Sequence, residues 1–113
     1  MAFKVVISGC CARSSAAAAE QLRSQLRPYG YDVRAVPVTG CLHLKTAVTL
    51  VSDRTLLINP RVADKKYFPG CDFLEVDASE PGAANALWVN GTILFPVAYP
   101  RTLERLQRLG PSV

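Results

Sequence analysis

Residues 85–96 read Asn-Ala-Leu-Trp-Val-Asn-Gly-Thr-Ile-Leu-Phe-Pro, and they decide how the rest is parsed. Two apolar runs, Asn85 to Val89 and Thr92 to Pro96, flank Asn90-Gly91, the residue pair that most readily takes the two left-handed positions of a tight hairpin. Upstream by 37 positions, Thr55-Leu56-Leu57-Ile58 matches Thr92-Ile93-Leu94-Phe95. It too reads as the second strand of a hairpin, with Lys45 to Val51 as the first strand, Ser52-Asp53 as the turn and Arg54 to Asn59 as the return. A helical segment follows each hairpin. In the first case it is expected within Pro60 to Lys66, and after the Pro69-Gly70 turn Cys71 to Val76 reads as a closing strand. In the second case it is Pro100 to Leu109, with Leu103, Leu106 and Leu109 on one face and Arg101, Arg105 and Arg108 on another. The period is β-β-α-β, of a length that signals propellers and arrays.

Toward the N-terminus the same unit recurs without its first strand. Phe3 to Ser8 is a short β-branched run suited to a buried strand that ends at Gly9. Ser14 or Ser15 caps a helix running to Arg27, with Ala18, Leu22 and Leu26 at i, i+4 and i+8. Pro28 and Gly30 stop it, and Tyr31 to Val36 alternates as a second strand. Residues 1–113 thus form one domain of about two and a half units, approximately 1–36, 44–77 and 84–113. After Leu109 the pattern calls for another strand, where the sequence holds Gly110 to Val113. A repeat that cannot bury its own face relies on neighbours, so the chain is expected to be part of a larger ring or to self-associate as a homo-oligomer. The rival architecture is a closed, monomeric ferredoxin-like sandwich.

Composition narrows the function classes. With 113 residues, 50% hydrophobic and 19% charged, the chain suits a single globular domain and not a disordered one. No apolar run approaches the ~20 residues of a membrane-spanning helix. The net charge of +4 is spread along the chain, densest at Arg101, Arg105 and Arg108, without the basic stripe and interleaved aromatics of a nucleic-acid surface. Cys10, Cys11, Cys41 and Cys71 form no C-x-x-C pair and no metal-ligand spacing. Reduced thiols in a cytoplasmic protein are the expectation, with no metal and no nucleic-acid or membrane partner. The apolar core before Cys10 is too short for a secretory leader. Asn90-Gly91-Thr92 therefore reads as a turn in spite of its N-x-T sequon.

His43 is the single histidine. It stands at the mouth of the expected strand, directly after a break containing Pro37 and Gly40. Cys41 lies two residues away on the same strand face, about 7 Å off, too far for the thiol–imidazole hydrogen bond that activates a nucleophile.

Gly40 to Thr46, GCLHLKT, followed by Ala47-Val48-Thr49, resembles the histidine motif of the dimethylarginine dimethylaminohydrolases, members of the guanidino-group-modifying superfamily. The resemblance extends through Glu80-Pro81-Gly82-Ala83-Ala84-Asn85 and Pro100-Arg101-Thr102, and covers the opening strand, Gly9 and Arg13. It implies a pentein-type α/β propeller of ββαβ modules, of which this chain is a part. The sister deiminases and amidinotransferases tend to carry an aspartate two places after the histidine. Lys45 stands there, favouring the methylarginine hydrolase branch. By this resemblance His43 protonates the leaving amine and later activates water, and Arg13 grips the carboxylate of an arginine-like substrate. No cofactor is expected, since the chemistry needs only a thiolate, an imidazole and carboxylates. The resemblance also places the nucleophilic cysteine in the strand after the helix 100–109, beyond Val113, and the acidic partners upstream of Met1. The chain alone is accordingly expected to be inactive. The alternative is a non-catalytic remnant serving as an oligomerising or ligand-binding module.

Overall fold

The computed structural model describes the backbone of residues 5–10 and the whole of residues 15–38, 43–110 and 112–113. Strand β1 (Val5–Cys10) and strand β2 (Asp32–Pro37) pair in parallel, from Val5 opposite Asp32 to Cys10 opposite Pro37. β1 passes through Gly9, which lies opposite Val36, so the strand does not end there as the sequence suggested. Helix α1 (Ala16–Leu26) connects them; Ser15 caps it, its hydroxyl accepting from the Ala18 N–H at 3.2 Å. A 3-10 turn at Arg27–Tyr29 and a left-handed Gly30 (φ 79°) end it. The buried face of α1 differs from the expected one. Ala19 packs inward, Ala18 and Leu22 face out, and Leu26 is half-buried. A polar clamp explains the rotation: the Arg23 guanidinium donates to the Val33 carbonyl from Nε at 3.1 Å and Nη2 at 2.9 Å. That contact turns the 19/23 side of the helix onto β2.

A three-stranded sheet follows in the order β3 (Val48–Leu50), β4 (Thr55–Ile58), β5 (Asp72–Glu75). β3 and β4 are antiparallel, and β5 joins β4 in parallel. The strand expected from Lys45 begins only at Val48. Leu44–Thr46 is instead a 3-10 turn, because Thr46 bends back on the His43 carbonyl through its N–H (3.1 Å) and its hydroxyl (2.6 Å). The helix expected within 60–66 is also replaced. Asn59 organises a turn, its side chain accepting from the Arg61 N–H and its carbonyl from Val62 and Ala63. A short 3-10 segment, Lys65–Tyr67, is capped by Asp64.

The third group is the antiparallel hairpin β6 (Leu87–Val89) and β7 (Thr92–Leu94), then helix α2 (Pro100–Leu109). Asn90 (φ 50°) and Gly91 (φ 75°) are both left-handed, as the two-residue turn requires. Past α2, Ser112 forms a parallel bridge to Thr92, and its carbonyl accepts from the Ile93 N–H at 2.8 Å. That bridge sets Ser112 beside β7 as Asp72 sits beside β4. The buried residues of α2 are Thr102 and Leu106. Leu103 is half-buried and Leu109 exposed, so the expected leucine stripe is only partly the core face. Two apolar clusters hold the molecule together. One gathers Val51, Leu57, Val76, Ala83, Ile93 and Leu106; the other gathers Val36, Ala47, Val48, Leu56, Ile58 and Phe68. Among the described residues no helix is long and apolar enough to cross a membrane.

Candidate functional site

His43 is exposed and occupies the cap position of the 3-10 turn, with extended backbone (φ −128°, ψ 141°). Its carbonyl is committed to Thr46, which fixes the direction in which the chain leaves the imidazole. Two residues on, Lys45 donates from Nζ to Asn85 Oδ1 at 2.5 Å and to the Ala86 carbonyl at 3.4 Å. Thr49 makes a second tie to the same segment: its hydroxyl donates to the Ala84 carbonyl at 2.6 Å and accepts from the Ala86 N–H at 3.1 Å. The turn headed by His43 is thereby tied to residues 84–86 through Lys45, and the strand that follows it through Thr49. Residues 43–49 and 84–86, far apart in the chain, meet here.

Two hollows flank that seam. One, about 380 Å³, has Lys45 and Asn85 beside Leu94, Phe95 and Pro96. The other is an apolar groove of about 420 Å³ lined by Leu44, Val48, Leu50, Phe68, Leu87 and Trp88, with Lys45 at its polar margin. Lys45 lines both hollows, so each sets a cationic group against an apolar wall; His43 lines neither.

Behind the site lies a carboxylate network that sequence reading missed. Glu80 is buried and caps α2. Its Oε1 accepts from the Thr102 N–H and hydroxyl, both at 2.7 Å, and its Oε2 from the Arg101 N–H at 3.1 Å. Thr102 Oγ1 in turn accepts from the Asp77 N–H at 3.1 Å. Burial opposes ionisation of Glu80, but the bonds from Thr102 and Arg101 outweigh it and hold the carboxyl below its ordinary value. The Asp77 carboxyl is likewise lowered, first by the Ser79 hydroxyl and N–H and then by Arg105 and Arg101. The sequence signal was present: Glu80-Pro81 and Pro100-Arg101-Thr102 both belong to the quoted resemblance, and the fold brings them into contact. Gly82 lies against Tyr99 at this corner: a Cβ there would stand 2.8 Å from the Tyr99 hydroxyl, so that ring would have to shift to admit a side chain.

Arg13, Cys11 and Cys41 lie outside the described residues, as does the Cys10 side chain. Cys71 is half-buried and packs on the second apolar cluster. Among the described residues, no three His, Cys, Asp or Glu side chains are grouped to hold a metal ion.

No protein-family model matches the chain. It is 34% identical over 105 residues to the N(G),N(G)-dimethylarginine dimethylaminohydrolase of Pseudomonas aeruginosa, an overlap of 93% of this chain and 41% of that protein. It is 39% identical over 99 residues to the Streptomyces coelicolor enzyme of the same name, covering 87% of this chain and 37% of that one. A solved structure of the Pseudomonas enzyme, a cysteine-to-serine mutant complexed with citrulline, matches with a TM-score of 0.88 at 32% identity, over 98% of this chain and 44% of that one. Over nearly its whole length the chain is thus similar to one part of the dimethylarginine dimethylaminohydrolases. It spans about two fifths of the length of the curated relatives it matches. A Microseira wollei amidinotransferase matches in fold alone, with a TM-score of 0.81 at 16% identity over 96% of this chain and 37% of that one. The architecture is part of the α/β propeller that these dimethylarginine dimethylaminohydrolase and amidinotransferase structures share.

Proposed function

We propose that this chain contributes the proton-handling half of a methylarginine hydrolase site, acting on an arginine-like small molecule in the cytoplasm. The observation that supports it most is the seam just described: His43 heads a turn tied to residues 84–86 through Lys45, and the strand after it is tied there through Thr49, within a chain that matches the family over nearly its whole length. In this reading a cysteine thiolate attacks the guanidinium carbon, and dimethylamine leaves as His43 passes it a proton. The neutral imidazole then takes a proton from water, which attacks the thiouronium carbon. The tetrahedral intermediate then collapses, citrulline departs and the thiolate is restored, with the proton left on His43 for the next turnover. Arg13 grips the substrate carboxylate with its planar two-pronged donor. The thiolate comes from outside these 113 residues, and the chain alone does not turn over. No observation among the described residues favours the non-catalytic alternative.

The test exchanges this chain for the matched segment of the Pseudomonas relative and assays citrulline from dimethylarginine. The expected result is turnover by the chimera, a fall of roughly 10²–10⁴-fold on His43→Ala, and none by the 113-residue chain. A folded chimera that releases no citrulline, or one indifferent to His43→Ala, would overturn the proposal.

A further inference from the structure

The turn that carries His43 is shaped from within and placed from without. Inside it, the Thr46 N–H and hydroxyl both donate to the His43 carbonyl, at 3.1 and 2.6 Å, and the Ala47 N–H donates to the Leu44 carbonyl at 2.8 Å. Those bonds set its curvature but not its location. At its far end the Ala47 carbonyl accepts from the Asn59 N–H at 2.8 Å, next to the β3–β4 ladder. Nearer His43, the Lys45 ammonium reaches across to Asn85 Oδ1 at 2.5 Å and to the Ala86 carbonyl at 3.4 Å.

The receiving segment is firmly held. Ala84 and Ala86 are buried, Thr49 bonds both of them, and the Ala83 N–H donates to the Glu80 carbonyl at 3.0 Å. Lys45 and Asn85, by contrast, are exposed. A solvated contact of this kind adds little to stability, and holding a lysine in one geometry costs much of its rotamer freedom. Thr49 already joins the two segments from the buried side. What Lys45 adds is therefore placement of the turn rather than cohesion of the fold.

We propose that Lys45, held by Asn85, is a positioning residue for His43. Its effect is carried through the turn. By fixing the turn against residues 84–86, it keeps the imidazole where it can give a proton to the leaving nitrogen and take one from water, transfers that need hydrogen-bond reach. This role rests on the proton handling proposed for His43 and names the contact that sets the imidazole's place.

The chimera described above tests it, through steady-state citrulline formation from dimethylarginine and a urea titration of each variant. Lys45→Met and Asn85→Leu each remove one partner of the contact. Each is expected to lower kcat roughly ten- to hundredfold, as a displacement of about 1 Å does. KM should change by less than about twofold, since substrate binding is not what is lost, and the urea midpoint should hold. Asn85→Asp keeps an oxygen for the ammonium and is expected to recover most of kcat. Lys45→Met and Asn85→Leu combined should fall no further than either alone, because both break one contact. A chimera that needs His43 yet keeps its kcat in Lys45→Met overturns this inference alone. So do losses that appear in KM or the urea midpoint instead, an Asn85→Asp variant as slow as Asn85→Leu, or two losses that multiply. A folded chimera that makes no citrulline, or one indifferent to His43→Ala, overturns it together with the reading on which it rests.

Discussion

Thr49 joins two units with a single hydroxyl. It donates to Ala84 and accepts from Ala86, and it is buried, so neither backbone group has water as a substitute. Replacing it by valine keeps the shape and strands both partners. Thr49→Val is expected to cost about 1–3 kcal/mol, read as a lower urea midpoint at unchanged slope, and Thr49→Ser is expected to restore most of it. Because the same bonds hold the strand after the His43 turn against residues 84–86, Thr49→Val also lowers citrulline formation in the chimera. At this scale the sequence was informative about identity and poor about geometry. His43 and Lys45 stood out as residues, but the strand expected around them is a 3-10 turn. The cause is the side chain of Thr46, which competes for the His43 carbonyl at 2.6 Å; hydrophobic alternation carries no trace of such a local bond.

Helix α2 depends on a carboxylate from outside itself. Its first turn holds no acidic residue, and Glu80 supplies the negative charge that the exposed N–H groups favour. Thr102→Val removes the hydroxyl that bonds Glu80 and receives the Asp77 N–H. We expect a loss of about 1–3 kcal/mol, measured by chemical denaturation near neutral pH. The acid response follows from the two lowered carboxyls. In the folded chain Glu80 and Asp77 ionise below their ordinary values of 4.5 and 3.8, so the unfolded chain takes up protons first as pH falls. Their contribution is therefore complete above about pH 5 and is lost progressively as pH drops through 4.5 and below. Denaturation midpoints taken from pH 6 to pH 3 should decline over that window, and Glu80→Gln should flatten the decline. Stability that instead rises on acidification would contradict this assignment. The helix boundaries were readable from Pro100 and Gly110, and the Asn90-Gly91 hairpin from its turn residues, because those signals are local. The inward face of α2 was not readable. Leucine spacing selected Leu103, Leu106 and Leu109, whereas Glu80 draws Thr102 inside and leaves Leu109 out. In α1 the Arg23 clamp on Val33 did the same to Leu22.

Across the whole molecule, the repeat makes equivalent residues unequal in energy. Leu57 and Leu94 occupy matching strand positions, yet one is sealed under the next unit and the other faces outward. Leu57→Ala is expected to cost about 2–5 kcal/mol, whereas Leu94→Ala should stay within roughly 0.5 kcal/mol in the dilute monomer. Denaturant titration of both variants at low concentration checks the contrast. Comparable losses at the two sites would contradict the difference in environment between these matching positions. The β-β-α-β period was legible because its turns and strand runs recur in the residues themselves. Which faces of those units are covered was not, since burial depends on a neighbour that periodicity does not reveal.

Among the described residues the strands form three sheets that share no strand. What links them is chiefly apolar contact in two clusters, with a few polar ties across the seams. Apolar cohesion fades as water is chilled, while the hydrogen bonds within each ladder do not depend on it. Refrigeration therefore weakens the joints between the sheets, and with them the packing that keeps each small sheet folded.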